Sequence, residues 1–235
     1  ESVARFPGTY QQDAKSRLGD DLFRSERAQV KEPANFSEAL ERGDLAWARM
    51  AAAMEKLQAM PGKQETKAQK QQREKAQQQY DEARDEALKY YRMALRMARR
   101  DVTLDQRNQW RFRLAYLYWS TGDYIQAAVL GEFLARRYGS AEDARKGAEI
   151  AVKACRLSLV DSLRRNEDVG FEIRRMASIA ELMSKLWPGQ SDTDEAWMLV
   201  IDSAVDMRDA EGALKVLEQI PADSPRRGPA EIRAG

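Results

Sequence analysis

Between Gly62 and Trp187 the chain contains no proline. Proline removes a backbone donor and clashes with the preceding helical turn, so it marks where helices stop. A run that long without one, rich in Ala, Leu, Met, Arg, Glu and Gln, is built from the strongest helix formers. Sustained period-two alternation of β-branched residues, the mark of half-buried strands, occurs nowhere. The expectation is an all-α chain. Its 43% hydrophobic and 33% charged residues suit stacked amphipathic helices, each with a narrow apolar stripe and a wide solvated face.

The seven prolines and the glycines punctuate that helical text. Residues 9–30 read as a charged helix closed by Pro33, and two short helices at 36–42 and 45–60 are expected to hinge at Gly43-Asp44. Residues 63–79 are almost purely Lys, Glu, Gln, Arg and Ala and run without a breaker into 80–100. There Ala76, Tyr80, Ala83, Ala87, Tyr90, Ala94 and Met97 recur at steps of four and three, a seam for packing on another helix of the same chain. Coiled-coil dimerisation along that seam is the alternative. Thr103 with Gln106 forms a capping-box pattern opening a helix to Ser120. A turn at Gly122-Asp123 leads to a helix at 124–138. Ser140 with Asp143 reads as a second capping box, opening a helix to Arg165, and 166–168 break it. A helix at 170–187 ends at Pro188-Gly189. Asp192 with Glu195 opens the last pair, 194–207 and 210–220. Three regions result: an N-terminal helical segment at 1–34, a repeat region at 35–221 with a long charged helix at 63–100, and a remainder at 222–235. That remainder reads as the start of a further helix of a longer array, or as a disordered tail.

One unit stands out: Trp110, Leu114-Ala115, Tyr118, Gly122-Asp123-Tyr124 and Ala127-Ala128. A weaker copy runs from Trp197 and Val200-Ile201 through Asp209-Ala210 to Ala213-Leu214 and Ile220-Pro221. Residues 85–95 look like the second helix of another unit, and Gly43-Asp44-Leu45 with Ala48 like the turn and second helix of a fourth. The pattern resembles the tetratricopeptide repeat family, at a looser spacing than that family's period of about 34 residues. The resemblance implies antiparallel helix pairs stacked as a right-handed α-solenoid, because no pair can bury its stripe alone. It also implies that the first helices of successive pairs line a concave groove. Carried over by position, Gln109, Phe112, Arg113, Tyr116 and Trp119 would face that groove, together with Glu195, Met198 and Asp202. The family's best-known clamp for a terminal carboxylate needs a lysine and an asparagine where this chain has Phe112 and Tyr116; only Arg113 fits.

Catalytic chemistry has little to work with. The chain has no histidine and one cysteine, Cys155, in an apolar helical setting. Imidazole-based triads, histidine zinc sites and thiolate clusters are therefore excluded. No phosphate-loop or dinucleotide glycine pattern occurs. The acidic run Asp192 to Glu195 lacks the glycine and closing acid of a calcium loop, and helix capping explains it better. No cofactor or metal is expected. The longest apolar runs, such as Leu114 to Trp119, fall far short of a membrane span of about 20 residues. No secretory pattern is present, but the chain opens on Glu1 rather than Met, which leaves the compartment open, as are the oligomeric state and the partner's identity.

The expected function is a non-catalytic scaffold that binds protein or peptide in its groove. One alternative is nucleic-acid binding by Lys89, Arg92, Arg96, Arg99, Arg100, Arg107, Arg111 and Arg113 with stacking on Trp110 and Phe112. The near-neutral whole, 39 basic against 38 acidic residues, argues against it. Another alternative is a regulatory arm of a larger protein whose active part lies elsewhere.

Overall fold

The computed structural model describes residues 32–60, 66–97 and 102–235. The expected helix at 9–30, residues 63–65 of the charged helix, and Arg99 and Arg100 of the basic run lie outside them. Among the described residues the chain forms nine helices and no strand, and no helix is long and apolar enough to cross a membrane. It divides into two compact units, Glu1–Asp101 and Val102–Gly235.

In the first unit, α1 (Phe36–Gln58) packs on α2 (Lys67–Met97). Asn35 caps α1 by accepting from the Glu38 amide at 3.0 Å, while the Glu38 carboxylate accepts from the Ala34 amide at 2.9 Å. The alanine–tyrosine seam of α2 is buried from Ala76 to Ala94 and faces α1 within the same chain. The expected hinge at Gly43-Asp44 does not exist: both residues lie inside α1. Gly43 is there because the Tyr91 ring lies against it, and an added Cβ would sit 3.0 Å from two ring carbons. The Tyr91 hydroxyl donates to the neighbouring Asp44 carboxylate at 2.8 Å. The apparent turn is a close approach, and the fourth repeat unit read from it loses its turn.

The second unit holds α3 (Leu104–Ser120), α4 (Tyr124–Arg137), α5 (Ala144–Arg164), α6 (Gly170–Leu186), α7 (Ser191–Asp206), α8 (Ala210–Leu217) and α9 (Arg227–Ala234). The Thr103–Gln106 capping box forms in both directions. Each helix packs on its chain neighbour, and α3, α5, α7 and α9 also pack serially. One core runs through the unit. Trp110 is 3% exposed, Trp197 5% and Cys155 3%, as their apolar settings suggest. Residues 227–234 are helical, with Ala230 and Ala234 buried.

Two other expected caps are not made. The segment after α4 is spent on a turn in which the Ala141 amide donates to Tyr138 O at 2.8 Å, so α5 begins only at Ala144. Asp143 then precedes it without a side-chain cap bond. Likewise α7 starts at Ser191, because Asp192 pairs with Arg145 of α5 and Glu195 with Arg226.

The ends of α3, α5 and α7 share one backbone turn. The Asp123 amide donates to Tyr118 O, Glu167 to Ser162 O and Asp209 to Ala204 O, at 2.8, 3.0 and 2.9 Å. The residue before each donor is left-handed: Gly122 at φ 82°, Asn166 at 55° and Arg208 at 61°. These are Schellman closures, which satisfy the carbonyls orphaned at a helix C-terminus. They recur at intervals of 44 and 42 residues. The ends of α4 and α6 also match one another. Tyr138 (φ −137°) donates to Leu134 O at 2.9 Å, and Trp187 (φ −136°) donates to Met183 O at 2.8 Å.

Candidate functional site

α3 carries five of the eight residues the repeat resemblance assigns to a groove. Positions 109, 112, 113, 116 and 119 share one side of a helix by their spacing. The opposite side, with Trp110, Leu114 and Leu117, is buried and holds α3 in place. Gln109 is exposed. Phe112, Tyr116 and Trp119 are half-buried and rest on the core of the unit, and so does Tyr118. The Tyr116 and Trp119 rings meet at 5.8 Å between centroids, tilted by 51°. The Trp119 indole nitrogen is buried without a hydrogen-bond acceptor. Arg113 is half-buried and acts on Asp143, at the start of α5. Burial raises the Asp143 carboxyl above its ordinary value, with the Glu142 charge adding to the rise and Lys146 and Arg113 opposing it.

Glu195, Met198 and Asp202 lie on α7, which does not touch α3; both helices pack on α5 between them. The structure therefore separates the two predicted residue sets by the width of one helix. Met198 is half-buried against the core. The two acids are engaged from the C-terminal side, Glu195 by Arg226 and Asp202 by Arg233, each at 2.6 Å. Asp206, one turn on, pairs with Arg156 of α5 and lies 3.6 Å from Arg233. Together with Arg145–Asp192 these pairs form alternating basic, acidic and basic rows on α5, α7 and the α9 segment. Reading the α7 acids by helical spacing missed those partners. The signal that would have found them is the arginine placement at 145, 156, 226 and 233.

The arginine-rich stretch does not form one surface within either unit. Lys89, Arg92 and Arg96 belong to the first unit; Arg107, Arg111 and Arg113 belong to the second. Lys89 lies 5.6 Å over the Tyr90 ring. Arg111 donates to Asn108 at 2.9 Å and stacks over Phe133 and Tyr138 at 5.0 and 5.4 Å, so its guanidinium serves the fold. Among the described residues no group of three or more acidic, cysteine or histidine side chains is placed to hold a metal ion. Comparison with family models, curated proteins and solved structures finds no match to this chain.

Proposed function

We propose that the second unit is a tetratricopeptide-like right-handed α-solenoid, with α3/α4, α5/α6 and α7/α8 as antiparallel helix pairs, and that it binds protein or peptide rather than catalysing a reaction. The observation that carries this reading is the recurrence of one Schellman closure after α3, α5 and α7, at Gly122, Asn166 and Arg208. The serial packing of those helices supports it too, because first helices that stack on one another share one face of the array.

On this reading the ligand engages the α3 end of that face. Phe112, Tyr116 and Trp119 offer rigid aromatic surface there, the kind of residue that dominates recognition hot spots. The α7 acids are already paired and contribute little direct contact. The test is an affinity capture from extract of the source cells, read by mass spectrometry, with wild type against a Phe112→Ala/Tyr116→Ala variant of wild-type helicity. A protein retained by wild type and lost by the variant supports the α3 site. Equal retention moves the site off α3, and recovery of only nuclease-sensitive material turns the reading to nucleic acid.

A further inference from the structure

The outer side of α4 carries an apolar row that nothing in the second unit covers. Ile125 is 65% exposed, Val129 45% and Phe133 41%, and their four-residue spacing makes them one ridge along the helix. An exposed ridge of three large apolar side chains on a fourteen-residue helix is costly to leave in water. Phe133 is also held in a fixed pose, by the Arg111 guanidinium over its ring and by an edge contact to Tyr138 at 5.6 Å.

Opposite charges mark the two ends of the ridge. Asp123 precedes the first turn of α4, is exposed, and makes no side-chain cap bond. Arg137 closes the last turn and is exposed as well. Neither makes an ion pair among the described residues. The neighbouring Arg136 is different, for it is tied to Glu132 and Ser178.

We propose that α4 is the contact of a homodimer, in which two copies pair their Ile125–Val129–Phe133 ridges antiparallel about a two-fold axis through Val129. Reversal of one copy sets each Ile125 against the other copy's Phe133 and Val129 against itself. It also brings each free Arg137 towards the other copy's free Asp123. A two-fold interface has to be self-complementary in this way. Ridges at four-residue spacing interdigitate in the commonest class of helix packing. One helix from each copy is a small contact beside the stable interfaces that bury roughly 1,200–2,000 Å², so the expected dimer is weak and its mass depends on concentration. The ridge lies on α4, away from Phe112 and Tyr116, so this inference is independent of the peptide-binding reading.

Sedimentation velocity of the 235-residue chain across ~1–300 μM is the test. Wild type is expected to shift towards dimer as concentration rises. Val129→Glu, which sets two carboxylates against each other at the axis, is expected to weaken association ~10-fold or more. Asp123→Arg and Arg137→Asp should each weaken it, and the double exchange should restore it. In Val129→Cys, oxidation should join two copies through position 129, because the native Cys155 is buried. All these positions are on the surface, and circular dichroism verifies that each variant folds. A wild type that stays monomeric throughout overturns the proposal. So does a dimer indifferent to Val129→Glu, or a double exchange that fails to restore association.

Discussion

The crossing of α4 and α5 rests on two glycines, and replacing one of them should be expensive for a definite reason. A Cβ built on Gly131 falls well inside 3.0 Å of the Gly147 carbonyl oxygen and 3.1 Å from the Ala151 Cβ. The obstacle is backbone in the middle of a helix, so it has no rotamer to move to. Gly131→Ala must therefore part α4 from α5 by roughly 1 Å in an interface packed at crystal-like density. Overpacking of this kind costs about 1–3 kcal/mol, and a backbone obstacle belongs at the upper end. Against it stands the gain of about 1 kcal/mol from alanine over glycine inside a helix. The expected net loss is about 2 kcal/mol, or about 4–8 °C in Tm for a chain of this length. Two control substitutions make the reasoning testable by thermal and urea unfolding. Gly147→Ala meets the Leu134 Cδ1 at 3.2 Å, the end of a side chain that can turn, and the Gly131 oxygen and Leu134 Cβ at 3.4 Å, which is ordinary contact, so it should stay within about 1 kcal/mol of wild type. Gly228, near the start of α9, has nothing within 4 Å, and Gly228→Ala should be neutral or gain up to about 1 kcal/mol. If Gly131→Ala proves as stable as wild type, the two helices do not approach as closely as the Gly131–Gly147 contact requires.

Two more outcomes follow from burial. Trp110→Ala and Trp197→Ala should each cost about 3–5 kcal/mol in urea unfolding, the Trp197 change also orphaning a 2.9 Å donation to Ser184 Oγ; wild-type-like melting of either would undo the repeat alignment. Burial pushes the Cys155 thiol from an ordinary 9.0 up to about 11. The native protein should therefore resist a thiol reagent at pH 8 and react fully in denaturant, and equal rates in the two would refute this. Because the folded value is the raised one, the associated stability is intact below pH 9 and is lost as pH rises towards 11.

Local pattern was a good guide where the cause of a feature is itself local. The capping box at Thr103 and Gln106, the end of α3 at Ser120 and the turn at Gly122 are each decided by residues within a few positions of one another. Gly43 misled because a glycine beside an aspartate has the same local appearance whether it serves a turn or a close approach. Its actual cause is Tyr91, which bonds the adjacent Asp44 across 47 residues. Arg208 is the reverse case: it takes the left-handed turn that Gly122 takes earlier, and no glycine announces it. Asp192 and Glu195 carried the spacing of a cap, yet arginines elsewhere in the chain claimed both. The α3 row was legible because helical spacing alone puts its side chains together. The fate of the α7 acids was not, because Arg233 pairs with Asp202 from 31 positions away.

Those distant pairs bear on where a ligand can bind. A single exposed ion pair is worth little in water, so no one of them closes the face. They are joined, however: Asp206 is shared between Arg156 and Arg233, and Arg233 between Asp202 and Asp206. A ligand that contacts the α7 acids must displace arginines that already satisfy them, exchanging equivalent interactions for little net gain. A ligand laid along Phe112, Tyr116 and Trp119 on the proposed reading leaves the charged rows intact. Burial of that aromatic surface supplies roughly 25 cal/mol per Å² of apolar area removed from water, and only the surplus over the lost freedom of ligand and side chains appears as affinity. On the proposed reading, the α3 stretch with Phe112, Tyr116 and Trp119 therefore offers a ligand aromatic side chains where α7 offers acids that are already paired.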